Sequence, residues 1–254
     1  MFRRTIKLLK KMDDAYLLAR EAGFSRGEAI SIARNPESRW AFIKLAHVPA
    51  KVGGVIVDVG ANRGQFIDLA MARFRPQKMI GIEPLPDAFD VLKTAWGSDP
   101  AVELYQCAAG AENTTVDIQV SRHDQASSVL PMHSNGDLLF DQRDLSLSNV
   151  ISVEQRQLDD ILQETGISTI DLLTLDVQGY ELEVLRGASV SLPRTKTLLL
   201  EVTFYPQYEM QPLFWDVHTY LRDHGFVLRW CGDYQTTSDG VALQADAVYI
   251  NREF

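Results

Sequence analysis

Four carboxylates stand where apolar runs stop. Asp58 lies near the end of VIVDV, just ahead of the turn GANRG, and Glu83 ends KMIGIE. Asp176 ends IDLLTLD, and Glu201 lies near the end of TLLLEV. Open α/β sheets bind ligands outside the carboxyl ends of their strands, near the point where strand order reverses. An ionised carboxylate only accepts hydrogen bonds, so acids placed there suit cationic or hydroxylated ligands. Glycines at Gly60 and Gly64 let the chain approach such a ligand closely.

The spacing narrows the ligand. A dinucleotide loop needs G-x-G-x-x-G. Counted from Gly60, the second and third glycines fall on Asn62 and Gln65. The second glycine lets a pyrophosphate approach the backbone, so its replacement argues against NAD. A Walker A loop is also missing, and Asp58 would set negative charge beside a phosphate. A ligand with a sulfonium, an α-amino group, a ribose diol and an adenine fits better, which is S-adenosylmethionine (AdoMet). Asp58 would attract its amino group. Glu83, 25 residues further on, stands close to the roughly 20 expected of a ribose-binding carboxylate.

Methyl transfer to a hydroxyl needs a positioned acceptor and a group to take its proton. Asp176 is the first candidate, either at the methionine end of the cofactor or against the acceptor. Its competing role is to cap the helix beginning in QGYELEVL. Glu181 is a candidate catalytic acid or a first-turn acid favoured by the helix dipole. Glu201 is open to roles as base, metal ligand or ion-pair partner. Two carboxylates alone do not specify a metal, and none is expected. His123 and His133 are candidate bases in a long polar stretch, whereas His218 and His224 suit structural roles on a helix over 213–224. Tyr205 and Tyr208 follow Glu201 and either stack on a sugar or pack against the sheet.

The elements that must position these residues alternate. Strands are predicted at 55–59, 78–83, 102–108, 170–176, 197–202, 226–231 and 247–251, with helices near 65–73 and 87–96 between the first three. Apolar strands alternating with helices mean a mostly parallel sheet covered on both faces. Residues 110–149 interrupt the rhythm as an expected substrate-side insertion, within which TTVDIQVS (114–121) alternates and pairs with NVISVEQ (149–155). Residues 1–50 form a helical extension, including a helix over 26–34, and 51–254 form the main domain. Arg3, Arg4, Lys7, Lys10 and Lys11 make the start of the extension basic: a solvated face, or an arm for peripheral contact with an anionic surface.

Bulk properties set limits. Of 254 residues, 46% are hydrophobic and 23% charged, the balance of an ordinary globular protein. A net charge of −9 argues against a broad nucleic-acid surface. Cys107 and Cys231 show no disulfide framework or zinc spacing, which suits a reduced, cytoplasmic setting. No apolar run approaches the roughly 20 residues of a membrane span.

DVGANRGQF (58–66), GIEPLPDAFDVLK (81–93) and IDLLTLDVQGYELEVLRGA (170–188), supported by RQLDDIL and LLLEV, resemble the FkbM-type AdoMet-dependent methyltransferases over about residues 52–251. The resemblance implies a seven-stranded class I methyltransferase sheet (Rossmann-like). It implies AdoMet held by Asp58, Gly60, Asn62, Gly64, Glu83 and Pro84, with Ser128 and Asp176 as further contacts. It implies O-methylation of a sugar or glycan, a glycolipid or a secondary metabolite. The family block has Glu where this chain has Gln178. An NAD(P)-dependent oxidoreductase and a non-catalytic AdoMet-binding protein stand as alternatives.

Overall fold

The computed structural model describes residues 12, 16–17, 19–20, 26–34, 45–49, 52–122, 126–133 and 147–254. The basic stretch over 3–11 and His123 lie outside them. Helix α1 (Arg26–Arg34) precedes the alternating region. There β1 (Val55–Val59), α2 (Gln65–Phe74), β2 (Lys78–Ile82), α3 (Pro86–Trp96) and β3 (Val102–Tyr105) follow in order. Strands β4 (Ala108–Ala109), β5 (Thr114–Ser121) and β6 (Leu147–Arg156) lead to α4 (Leu158–Thr165), β7 (Ile170–Leu175) and α5 (Glu181–Arg186). The chain ends with β8 (Thr195–Thr203), α6 (Phe214–Asp223), β9 (Phe226–Thr236) and β10 (Ala242–Asn251).

The main sheet has seven strands in the order β3-β2-β1-β7-β8-β10-β9. Its first five strands run parallel, and β10 runs antiparallel to both neighbours. From β1 the chain winds out through β2 to β3, then returns to β7 on the other side of β1. The switch point therefore lies between β1 and β7, which brings the tips carrying Asp58 and Asp176 side by side. All six residues of β7 are buried, the expected burial of a central parallel strand.

Alternate residues feed two cores, as the two-residue period of a strand requires. On one face, Val57, Val59, Ile80 and Ile82 pack with Leu158 and Ile161 of α4, Leu185 of α5 and Leu221 of α6. On the other, Ile56, Met79, Leu172, Leu199 and Val248 pack with Ile67 of α2 and Leu92 of α3. Ala19, Ala29, Leu45 and Val48 join this second core, so the described part of the extension helps cover the sheet. His47 also stacks on Trp230 of β9, with ring centroids 3.9 Å apart.

The insertion contains a small sheet of its own, in the order β4-β6-β5. Strands β5 and β6 pair antiparallel from Thr114↔Gln155 to Val120↔Asn149, the pairing expected from the alternation in TTVDIQVS. The inner face of the hairpin, with Ile118, Val120, Ile151 and Val153, packs on Leu85 and Ala88 at the start of α3. The insertion therefore roofs the turn that follows β2.

Candidate functional site

Four strand tips and one strap build the site. At the tip of β1, Asp58 is buried and lies beside Thr174 of β7 in register. The Thr174 hydroxyl donates to Asp58 Oδ1. Gly60 follows with φ of +86°, and a Cβ there would overlap the backbone carbonyl of Asp176. A side chain is excluded by both conformation and space. Asn62 also has positive φ (+47°), which its short polar side chain tolerates.

The amides of this turn are already committed. Gly60 N and Ala61 N donate to Ile82 O at 2.9 and 3.0 Å. Asn62 N donates to Glu83 Oε2 at 2.9 Å, Arg63 N to Asn62 Oδ1 at 2.8 Å, and Gly64 N to Ala61 O at 2.8 Å. The second oxygen of buried Glu83 takes Leu85 N at 2.8 Å. Glu83 thus ties the turn after β1 to the turn after β2, with half-buried Pro84 between its partners. A dinucleotide loop holds pyrophosphate with such amides. Here they face protein oxygens, and the turn is lined by acids.

At the tip of β7, Asp176 N donates to Val59 O at 3.0 Å, while the Asp176 side chain is exposed. Its Oδ1 accepts from Gln178 Nε2 at 2.8 Å. The residue capping α5 is Tyr180, without a side-chain cap bond, so Asp176 is not the helix cap. Glu181 is buried, and its Oε1 accepts from Val177 N and Gly179 N, both at 3.2 Å. Burial pushes its carboxyl up to about 7, and the charge of Asp176 adds to the rise against the pull of those backbone donors.

At the tip of β8, half-buried Glu201 stands opposite Asp246 of β10 and accepts from Gln244 Nε2 at 2.7 Å. The following loop turns Tyr208 inward, where it is 3% exposed. Stacking on a sugar is therefore excluded for Tyr208, and the packing alternative holds. Burial raises its phenol well above the usual range, and the charges of Glu201, Glu181 and Asp176 raise it further. Among the described residues no three His, Cys, Asp or Glu side chains gather as a metal-ligand set.

Residues 126–133 form the strap. Ser128 bridges to Gln119 of β5, and Met132 to Tyr208. His133 N donates to Gln207 O and Glu209 N to Pro131 O, each at 2.8 Å. Ser128 is buried; its hydroxyl donates to Gln178 O at 2.7 Å and accepts from Leu130 N at 3.1 Å. That hydroxyl fastens the strap to the turn after β7. His218 contacts the Tyr249 hydroxyl at 3.1 Å and His224 contacts Tyr220 O at 2.7 Å, both in the fabric of α6. Sequence reasoning missed Thr174 and the bridging amide of Gln178. The polar position within IDLLTLD was the one available signal for Thr174.

The fold is the doubly wound class I methyltransferase sheet. A family model, the methyltransferase FkbM domain, matches residues 58–228, and the chain belongs to that family. The 2-O-methyltransferase NoeI of Sinorhizobium fredii is 30% identical over 168 residues, covering 62% of this chain and 66% of that protein. The methyltransferase sdnD of Sordaria araneosa is 34% identical over 166 residues, covering 56% and 62%. The matches thus span slightly under two thirds of those relatives' length. The solved methyltransferase FkbM of Methylobacillus flagellatus aligns with a TM-score of 0.49 at 16% identity, covering 78% of this chain and 43% of that one. No helix among the described residues is long and apolar enough to cross a membrane.

Proposed function

We propose that this chain is an AdoMet-dependent O-methyltransferase acting on a hydroxyl of a small molecule or glycan. The observation that carries the reading is the turn Gly60–Gly64, whose amides are committed within the protein while Asp58, Glu83 and Asp176 surround it. Such a site repels phosphate and suits a ligand with an amino group, a ribose diol and a sulfonium. The relative NoeI carries a 2-O-methyl transfer in its name, which supports oxygen as the methylated atom.

When bound, AdoMet supplies a methyl group made electrophilic by its sulfonium. Asp58 attracts the amino group of the cofactor, directly or through water. Glu83 accepts from the ribose hydroxyls while its backbone partners fix its position. Gly60 and Gly64 keep the turn low, and Asn62 and Pro84 shape its rim. Asp176 faces the methionine end. Glu201, at the neighbouring tip, is the candidate to take the acceptor proton. Glu181 lies buried behind them and holds the turn. The strap, through Ser128, closes the acceptor side and limits water there.

The test is parallel thermal unfolding with S-adenosylhomocysteine, AdoMet, NAD and NADP, followed by S-adenosylhomocysteine release from AdoMet on a panel of methyl glycosides and polyols. A ligand at a hundredfold its dissociation constant adds about 2.7 kcal/mol to a two-state fold. Stabilisation by the first two alone is expected. Stabilisation by NAD or NADP alone would make the protein an oxidoreductase. Binding of AdoMet without release on any panel member would favour the non-catalytic alternative.

A further inference from the structure

Gln178 has a place in the site that no backbone requirement explains. It holds a left-handed φ of +53°, although it is not a glycine. Three contacts hold it there. Its carbonyl accepts from Ser128 Oγ at 2.7 Å. Its Oε1 faces the buried Tyr208 hydroxyl at 3.0 Å. Its Nε2 donates to Asp176 Oδ1 at 2.8 Å. Tyr208 is itself anchored, because Tyr208 N donates to Gln211 Oε1 at 3.2 Å and Gln211 Nε2 donates to Thr203 Oγ1 at 2.9 Å.

Chemistry fixes which way the amide faces. A carboxylate has no proton to give, so the amide oxygen cannot sit against Asp176. The amide nitrogen must turn to Asp176 and its oxygen to the tyrosine, whose hydroxyl donates either to it or to Ala126 O at 3.2 Å. A glutamate at 178 would accept from Tyr208 equally well. It would meet Asp176 with a second negative charge, in a region where Glu181 and Glu201 already stand. A neutral amide is the one isostere of glutamate that both accepts from Tyr208 and donates to Asp176.

We propose that Gln178, its amide set by Tyr208, is the positioning residue that aims the Asp176 carboxylate at the cationic methyl-sulfonium end of the bound cofactor. The proposal rests on the reading of Asp176 as a cofactor-facing group. It concerns the difference between a cationic and a neutral ligand at one atom, which mere support of the turn would not alter.

The test compares two probes by isothermal titration on the full chain. Sinefungin carries an ammonium in place of the methyl-sulfonium, and S-adenosylhomocysteine carries a neutral thioether. Asp176→Asn, Gln178→Met, Gln178→Leu, Tyr208→Phe and the double variant Asp176→Asn/Gln178→Met are measured beside the wild type. Asp176→Asn and Gln178→Met are each expected to cut the preference for sinefungin by about threefold to tenfold. The double variant should lose no more than either alone, because one contact carries both effects. Gln178→Leu should move in the same direction, and Tyr208→Phe in that direction by less.

A preference lost in Asp176→Asn but kept in Gln178→Met and Gln178→Leu overturns the positioning role and leaves the site reading intact. A wild-type preference in Asp176→Asn overturns the cofactor-facing reading of Asp176. Absence of binding of both probes to the wild type removes the proposed function itself. Should Gln178→Met unfold, Tyr208→Phe and Gln178→Leu decide the question, since leucine keeps the bulk at 178 and Tyr208→Phe leaves that position untouched.

Discussion

Glu181 is an acid that burial makes hard to ionise. It is buried on the short helix α5, and its carboxyl is pushed from an ordinary value of 4.5 up to about 7. Its folded-state pKa is raised, so the proton stays on the folded chain after the unfolded chain has lost it. The associated stability is fully present below about 4.5 and is lost as pH rises through about 7. Glutamine at this position keeps an acceptor for Val177 N and Gly179 N but cannot ionise. Glu181→Gln is therefore expected to match the wild type in urea unfolding at pH 4.5. It should exceed the wild type at pH 8 by on the order of 3 kcal/mol, at 1.36 kcal/mol per pKa unit. Equal gains at both pH values would show that ionisation of Glu181 plays no part. At the same scale, Glu83→Ala removes the acceptor shared by Asn62 N and Leu85 N as well as the ribose partner. A loss of S-adenosylhomocysteine affinity of tenfold or more is expected by titration. Wild-type affinity would remove Glu83 from the cofactor site.

Strands and their turns were the legible part. The runs VIVDV, KMIGI and IDLLTL are apolar because their strands are buried on both faces, and each stops at a residue the turn requires. Gly60 shows how such a turn works, since its missing side chain leaves room for the Asp176 carbonyl. Gly60→Ala would force β1 and β7 apart at their tips. It is expected to abolish S-adenosylhomocysteine binding and to lower stability by about 1–3 kcal/mol in urea unfolding. A variant that binds normally would mean the tips can separate without cost. The roof and the strap were less legible. Alternation in β5 and β6 announced a hairpin, but its packing on Leu85 and Ala88 depends on residues 30 or more positions away. Tyr208 and Gln178 meet only through the fold, and neither stands in a pattern that marks a bridging pair. Gly187 caps the C-terminus of α5. In the structure it lacks a side chain because Gly110 O lies against it, a close approach no local spacing encodes.

For the whole molecule, the question is whether the first 50 residues are an appendage or part of the fold. The amino-acid pattern set them apart, because helical periodicity there gives way to strands only after Val52. The second core runs across that boundary. Leu45 is fully buried, and Ala19, Ala29 and Val48 share its cluster with Ile56, Leu172 and Val248 of the central sheet. A sheet face that ends in leucine, isoleucine and valine must be covered, and these residues supply part of the cover. Leu17, by contrast, is 57% exposed. Truncating a buried leucine to alanine costs about 2–5 kcal/mol, and an exposed one within about 0.5 kcal/mol. Leu45→Ala is therefore expected to lower the midpoint of one cooperative urea transition monitored by tryptophan fluorescence, while Leu17→Ala leaves it unchanged. Trp230, stacked on His47, reports from the seam itself. If the extension folded as a separate unit, Leu45→Ala would instead split off an early phase and leave the main transition in place. A shift of the whole transition means that the extension and the sheet with its carboxyl-edge site form one folding unit.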